Sequence, residues 1–308
     1  MAIGDVSRVT AGDVTDCYYL DTGMYDVEAY GSVYLLDAER PAVVDTGIGT
    51  RYEAILEGLE TVGIDPSELA VIAPTHVHLD HAGGAGYLAA ACPDAAVAVH
   101  EIGAPHLIDP ERLVEGTKRA VGDQWAYYAD PKPVPEDRVR SLTDGDVIDL
   151  GEYTLEAKHA PGHAPHQMVY HMPENDAVFT ADAAGINVPD LDGVYPTSPP
   201  PNFDLEQCLA DVAMLQELDP AVLCYGHFGP AETGDNLAVY ERVLTDWVER
   251  IETVRTELED DDAVIEHFVE EQWDELEPVW GDRKARAETT MNVRGVLHYL
   301  DQQADQRE

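Results

Sequence analysis

Four side chains of metal-ligand type fall within six residues of the chain, and this cluster constrains the fold more than any other sequence feature. The stretch around it reads Ala-Pro-Thr-His-Val-His-Leu-Asp-His-Ala-Gly-Gly over residues 73–84. An apolar run from Leu69 to Ala73 predicts a short buried strand before it, and the glycines after it predict a turn into a helix. The cluster is therefore expected where a strand ends and a helix begins, a place where α/β proteins commonly build sites.

The spacing within the cluster indicates two adjacent metal positions. On an extended backbone His76 and His78 share one side, because side chains alternate with period two. Asp80 and His81 lie past the strand and can turn toward a second position nearby. Three imidazoles and one carboxylate suit zinc, or a borderline metal such as iron or manganese. The alternative, four polar residues on a solvated loop, requires no such clustering.

This HxHxDH pattern resembles the signature of the metallo-β-lactamase superfamily, and the resemblance covers about residues 5–230. It implies an α/β (α+β) fold, the four-layer αββα sandwich, in which two sheets pack face to face with helices outside. It also implies three later ligands, each at the end of a predicted strand: His163, Asp182 and His227. Each of these is a weak signal alone, but in this order and with the central cluster they are a strong one.

The resemblance implies two ions, zinc first and iron or manganese as alternatives, with Asp182 bridging them. The ligands divide into one set of His76, His78 and His163 and another of Asp80, His81 and His227. A hydroxide shared by the ions is expected to attack a carbonyl, with the developing oxyanion stabilised by a metal. Asp80 is expected to orient this hydroxide as well as to bind metal.

Three further residues are predicted to support the site. Asp45 ends a predicted strand, and the family has an aspartate there that orients the metal site; a turn-capping role is compatible with this. His166 is expected beside the ligands, in support of them. Tyr195 lies in a proline-rich loop after Asp182, where some lactone-cleaving relatives have a tyrosine that donates to the substrate carbonyl. The alternative, that Tyr195 only packs against neighbouring side chains, is given equal weight.

Two domains are predicted: a catalytic domain over residues 1–232 and a helical extension over 233–308 packed on it. Residues 101–137 are interpreted as an insertion or lid, because they contain five prolines and three aromatic residues. These aromatics either roof a pocket or anchor the insertion. The extension keeps helical apolar spacing, is interrupted by the acidic run 259–262, and is expected to add helices over Val264–Trp273 and Ala285–Leu300.

Alternating apolar positions predict the remaining elements of the catalytic domain. The predicted strands are 32–36, 42–45, 97–99, 147–150, 153–157, 168–171 and 177–180. Helices are expected around Ile55, over residues 111–120, and after Asp204 as an N-cap.

The net charge of −43, from 18 basic and 61 acidic residues, indicates a very salty cytoplasm as the environment. Such self-repulsion destabilises a compact state unless salt screens it. The N-terminus has neither the basic nor the apolar part of a signal peptide, and no stretch is long enough to span a membrane. The four scattered cysteines, Cys17, Cys92, Cys208 and Cys224, are expected to be reduced and buried.

The predicted function is hydrolysis of a carbonyl compound, a thioester as in the glyoxalase II branch of the family or a lactone. Arg283, Lys284, Arg286 and Arg294 are basic, but no residue-by-residue match to the cluster that this branch uses for glutathione is established. A phosphodiesterase or nuclease is the alternative, and a diiron redox protein or iron dioxygenase a minor one. The expected partner is a small molecule, with neither nucleic acid nor membrane; a homo-oligomer is left open.

Overall fold

Two β-sheets form the centre of the computed structural model, which describes residues 2–191, 193–258 and 260–307. The first sheet follows chain order, antiparallel over its first four strands and parallel from the fourth strand to the seventh. Its strands are β1 (Val6–Arg8), β2 (Cys17–Asp21), β3 (Ser32–Leu36), β4 (Ala42–Val44), β5 (Val71–Ala73), β6 (Ala96–His100) and β7 (Val139–Leu142).

The second half of the chain contributes a second sheet and a short ribbon. The strands here are β8 (Val147–Asp149), β9 (Thr154–His159), β10 (Met168–Met172), β11 (Ala177–Ala181), β12 (Ile186–Asn187), β13 (Val194–Tyr195), β14 (Val222–Tyr225) and β15 (Gly229–Glu232). The second sheet has the order β15-β14-β11-β10-β9-β8, and β12 pairs with β13 apart from it. Only the β11–β14 pair of this sheet is parallel among the described residues, which brings the carboxyl ends of those two strands to one edge.

Helices cover the outer faces of both sheets. The α-helices of the described residues are α1 (Tyr52–Val62), α2 (Leu79–Ala82), α3 (Ala85–Ala91), α4 (Ala104–Ile108), α5 (Glu111–Val121), α6 (Leu205–Leu218), α7 (Asn236–Leu258) and α8 (Asp261–Arg307). Residues of α1 and α3 pack on the first sheet, and residues of α6, α7 and α8 pack on the second. As predicted, Asp204 caps α6, where its side chain accepts a hydrogen bond from the Gln207 amide at 3.0 Å.

The period-two pattern of the strands separates the layers. On β3, Tyr34 and Leu36 pack between the two sheets, whereas Val33 and Leu35 pack against α1 and α3 on the outer side. On the second sheet, Val169 and Val178 face outward into a cluster that also holds residues of α6, α7 and α8. The predicted four-layer αββα sandwich is confirmed, with α7 and α8 forming part of its outer helical layer.

The predicted elements are present, and most of their bounds differ by one or two residues. The largest difference lies in the extension, where two separate helices were expected. The structure has one helical run, α8, with non-helical backbone at Gly281 (φ 74°, ψ 160°). Helix continues on both sides of this bend because apolar residues there, such as Phe268 and Val296, stay buried in the outer cluster. Glu259, in the acidic run, lies outside the described residues.

The four cysteines are buried and unpaired. Cys17 and Cys224 lie between the sheets, which places Cys224 in the core. Within the described ranges, no helix is both long and apolar enough to cross a membrane.

The acidic surface predicts a steep salt dependence of stability. We expect the melting temperature to rise strongly between 0.1 and 1 M KCl and weakly above it, because the screening length falls from about 10 Å to about 3 Å over that range. Thermal unfolding followed by circular dichroism at a series of KCl concentrations measures this. A melting temperature that stays flat below 1 M would show that repulsion among the carboxylates does not limit stability.

Candidate metal centre

The predicted ligands meet at one edge of the sandwich, although they come from both sheets. The loop after β5 and the short helix α2 carry the first four. His163 lies in the turn between β9 and β10, Asp182 directly follows β11, and His227 follows β14. Each ligand therefore stands at or just beyond a strand end, where the rigid sheet fixes the backbone and the loop leaves the side chain free to turn inward.

Asp182 lies at the centre of the cluster. Its Oδ2 atom lies 3.4 Å from His76 Nε2, 3.3 Å from His81 Nε2 and 3.3 Å from His163 Nε2. Its Oδ1 atom lies 3.5 Å from His227 Nε2. One carboxylate thus faces four imidazole nitrogens that come from both sheets.

The donor atoms form three overlapping groups, in each of which all atoms lie within 4.8 Å of one another. The groups are His76, His78 and His163; His76, His81 and Asp182; and Asp80, His81 and His227. Ring nitrogens also approach each other closely, with 3.0 Å between His163 Nε2 and His78 Nδ1 and 3.2 Å between His81 Nε2 and His227 Nε2. Side chains brought this close share either protons or a common cation.

The protonation states favour a cation. Burial lowers the pKa of His76 well below its usual value, and burial with the nearby His163 lowers that of His78 to about 4. These imidazoles are therefore neutral at pH 7 and have a free lone pair. Burial would raise the pKa of Asp182, but His163 and His81 hold it well below its ordinary value. Neutral imidazoles around an ionised carboxylate are the donor set that zinc and similar metals take.

His81 shows where positive charge is favoured. Burial alone would lower its pKa, but the carboxylates of Asp45 and Asp182 raise it well above the usual value. In addition, His76 Nε2 and Asp182 Oδ1 are buried without a hydrogen-bond partner among the described residues. Such orphaned atoms are rare in folded proteins unless an ion or water satisfies them. The residues present therefore fit a divalent metal.

In two of the donor histidines, the ring nitrogen that faces away from Asp182 forms a hydrogen bond that fixes the orientation of the ring. His81 Nδ1 donates to Asp45 Oδ2 at 2.8 Å, and Asp45 Oδ1 accepts from the amide and hydroxyl of Thr75 at 2.7 and 2.8 Å. His227 Nδ1 donates to the backbone carbonyl of Tyr30 at 3.0 Å. With Nδ1 committed as donor, Nε2 of each ring is left to face the centre, as in metal sites generally.

A cavity of about 440 Å³ opens above the cluster. Its floor includes Asp80, Asp182 and His227, and its walls come from α5, from the 197–202 loop and from aromatic residues. The apolar and aromatic lining residues include Tyr25, Tyr128, Leu113, Val121, Ile186 and Met291. The volume and the mixed lining are those of a small-molecule site.

The predicted insertion 101–137 supplies a wall of this cavity through α5 and Tyr128. Trp125 stacks on Tyr128, with ring centroids 5.3 Å apart and an angle of 6° between the ring planes. Tyr128 therefore lines the cavity, which is the first of the two interpretations given for these aromatic residues. Trp125 packs against Tyr128.

Two predicted supporting residues lie in different surroundings. His166 lines the cavity, and its ring centroid is 5.4 Å from that of His78, but it belongs to none of the donor groups. Tyr195 does not line the cavity among the described residues; its hydroxyl bonds to Glu275 of α8. The structure thus gives Tyr195 no contact with the cluster, because the loop turns this side chain toward the C-terminal helix.

The sequence did not predict a buried network of hydrogen bonds and ion pairs next to Tyr30. Its hydroxyl donates to Glu288 Oε2 at 2.8 Å, and Lys284 Nζ bonds the same atom at 2.7 Å. Both charged side chains are 4% exposed, and the ammonium lies 4.0 and 4.1 Å from the ring centroids of Tyr25 and Tyr30. Helical i,i+4 spacing of Lys284 and Glu288 was the available signal, but it does not distinguish a buried pair from a surface pair.

A model of the Metallo-beta-lactamase superfamily matches residues 27–227, which is more than half of the chain, and the chain belongs to that superfamily. Among curated proteins, the metallo-beta-lactamase fold-containing protein ST1585 of Sulfurisphaera tokodaii is 29% identical over 217 residues, covering 68% of this chain and 77% of that protein. The acyl-coenzyme A thioesterase MBLAC2 of Gallus gallus is 28% identical over 182 residues, covering 54% of this chain and 61% of that protein.

The fold is shared with solved structures. The crystal structure of ST1585 from Sulfolobus tokodaii superposes with a TM-score of 0.62 at 20% identity, covering 95% of this chain and 98% of that one. At this identity the likeness concerns the fold.

The buried Lys284–Glu288 pair generates a stability prediction. Replacing Lys284 by Met keeps the apolar contacts but leaves the Glu288 carboxylate buried without its cation, so we expect a loss of about 3 kcal/mol in the free energy of unfolding. Adding Glu288→Gln should recover most of this loss, because the unpaired charge is then removed. Denaturant unfolding in concentrated KCl measures both variants. If Lys284→Met alone were as stable as the parent chain, the interaction between buried Lys284 and Glu288 would not contribute to stability.

Proposed function

We propose that this chain is a metal-dependent hydrolase that cleaves thioesters. The observation that carries this proposal is the position of the donor cluster, which forms the floor of a cavity whose walls include apolar and aromatic side chains. A substrate in the cavity would present its reacting carbonyl to the donor cluster. One relative is an acyl-coenzyme A thioesterase, and the similarity to it favours a thioester over other carbonyl substrates.

We further propose two ions, zinc in the first instance, held as the resemblance implies. His76, His78 and His163 would hold one, Asp80, His81 and His227 the other, and the two oxygens of Asp182 face members of both sets. When bound, such ions lower the pKa of a water molecule to about 7 and polarise a carbonyl oxygen.

The chain's own residues support water as the nucleophile. None of the four cysteines lines the cavity within the described ranges, and burial raises the pKa of the Cys17, Cys92 and Cys208 thiols. Asp80 faces the cavity, and although burial would raise its pKa, His81 and His227 keep it lowered. The ionised Asp80 carboxylate can accept a hydrogen bond from the attacking water and orient it. The new C–O bond replaces the C–S bond, and the thiol leaves with a proton.

The thioester is preferred to a lactone for a structural reason. The tyrosine expected to donate to a lactone carbonyl, Tyr195, is engaged by Glu275 instead. Membership of the glyoxalase II branch stays a proposal. Three of the basic residues of α8 considered for glutathione contact other groups: Lys284 is paired with Glu288, Arg286 lies against Asp282 and Trp273, and Arg283 lies against Tyr127.

The working environment is proposed as a cytoplasm of molar salt. The support is the net charge of −43, whose self-repulsion requires screening in a compact fold. Reduced, buried cysteines agree with such a compartment.

Metal content provides the first test. Purified from concentrated KCl and dialysed against zinc, the protein is expected to retain about two zinc ions per chain by plasma mass spectrometry. His76 belongs to two of the three donor groups, and Asp182 faces members of both proposed ligand sets, so His76→Ala and Asp182→Ala should each lose most of the metal. His298→Ala, on α8, is the control and should keep it. A single tightly held iron in the parent chain would instead favour the dioxygenase alternative.

Activity provides the second test. S-lactoyl thiols, acyl-coenzyme A, homoserine lactones and bis(p-nitrophenyl) phosphate are compared side by side, and the thioesters should be cleaved fastest. Asp80→Asn should lower kcat by about a hundredfold, because a neutral carboxamide is a weaker acceptor than a carboxylate for the attacking water. Chelation should abolish turnover and zinc should restore it. Faster cleavage of the phosphodiester than of every thioester would overturn the proposal.

A further inference from the structure

Two arginines of α5 line the cavity without a partner of their own. Arg112 and Arg119 are exposed at the cavity wall. Neither guanidinium has a hydrogen bond, an ion pair or an aromatic contact with any residue that the structure describes. Guanidinium groups ordinarily find such contacts readily, since they carry five donors and a delocalised charge.

The spacing places both arginines on one face of the helix. They are seven residues apart, which is two helical turns and about 10 Å along the axis. Lys118, the residue next to Arg119, does not line the cavity; its ammonium lies 4.6 Å from the centroid of the Trp125 ring. The helix therefore directs two of its cations to the cavity and a third elsewhere.

This arrangement is unusual in so acidic a chain. With 61 carboxylates against 18 cations, pairing partners are abundant over the surface as a whole. Among the described residues, the carboxylates that line the cavity are engaged elsewhere: Asp80 and Asp182 with the histidine cluster, and Glu288 with Lys284 and Tyr30. The two guanidinium groups are thus left free to face an anion that enters the cavity from solvent.

We infer that Arg112 and Arg119 bind an anionic group, phosphate or carboxylate, on the thiol half of the thioester substrate. The acyl half then lies against the apolar lining, which includes Leu113, Ile186 and Met291. This places the scissile carbonyl between the two halves, above the histidine cluster. The inference rests on the proposed function, and it names the class of thiol that the enzyme accepts.

Guanidinium groups remain effective under the salt conditions that the acidic surface requires. At molar ionic strength the screening length is about 3 Å, so only groups in direct contact still interact. The planar fork of arginine makes such contact, because it can donate two parallel hydrogen bonds to one phosphate or carboxylate.

The test measures binding of free thiols, so it does not depend on turnover. Isothermal titration calorimetry at fixed KCl compares coenzyme A, glutathione and pantetheine, of which pantetheine shares the thiol arm of coenzyme A but lacks its phosphates. We expect the parent chain to bind at least one anionic thiol about tenfold or more tightly than pantetheine. Which one it prefers distinguishes a phosphate from a carboxylate.

The variants assign this preference to the two arginines. Arg112→Gln with Arg119→Gln keeps the side-chain length but removes both charges, and it should bring the anionic thiol to the affinity of pantetheine while leaving pantetheine unchanged. Lys118→Gln removes one charge from the same helix and should keep the preference. Equal binding of all three thiols by the parent chain, a preference that survives in the double variant, or an equal loss in Lys118→Gln would each overturn the inference.

Turnover separates this inference from the proposed function. With matched acyl groups, the double variant should lower kcat/KM for the anionic thioester through KM and leave kcat/KM for the acyl-pantetheine unchanged. If no thioester is cleaved, the proposed function fails while the calorimetric comparison still decides the role of the arginines. If thioesters are cleaved with no preference for an anionic thiol, the hydrolase stands and the inference falls.

Discussion

The buried carboxylate of Asp182 is the interaction on which the rest of the structure depends. It lies at the point where strand ends of both sheets converge, and four imidazole nitrogens lie within 3.5 Å of its oxygens. An ionised carboxylate in such a place requires compensating positive charge, and burial keeps the surrounding His76, His78 and His163 neutral. The sandwich thus brings together a group of donors whose charge is balanced most directly by a metal. The cavity above them leaves room for a small molecule next to that metal position.

The residues behind the donors explain why the site is tied to the whole fold. Asp45 and the carbonyl of Tyr30, both from the first half of the chain, fix the outer nitrogens of His81 and His227. Tyr30 is held in turn by Glu288, 258 residues away on α8. The C-terminal helices are therefore more than a cover for the second sheet, because they hold one of the groups that orient a donor. A change in the packing of these helices that moved Glu288 would therefore alter the position of Tyr30 and, with it, the orientation of the His227 ring.

The distribution of charge divides the molecule into two environments. The net charge of −43 makes the surface repulsive at low salt, whereas the cavity combines ionised donors at its floor, apolar walls and two cations from α5. Long-range attraction of substrate is small when the screening length is about 3 Å. In the molar salt that we propose as the working medium, recognition would come from direct contact, which apolar walls and guanidinium groups can make.

Local chemistry in the sequence determined the fold class and the identity of the clustered donors. The HxHxDH stretch, the period-two strands and the polar residues at strand ends act over a few residues, so their pattern is visible without coordinates. By contrast, the sequence did not show which way Tyr195 turns, that Tyr30 lends its carbonyl to His227, or that Lys284 is buried beside Glu288 instead of lying at the surface. Nor did it show that Arg112 and Arg119 face the same cavity as the histidines. These features were decided by tertiary structure alone, because each depends on contacts between segments far apart in the chain, and only packing brings such segments together.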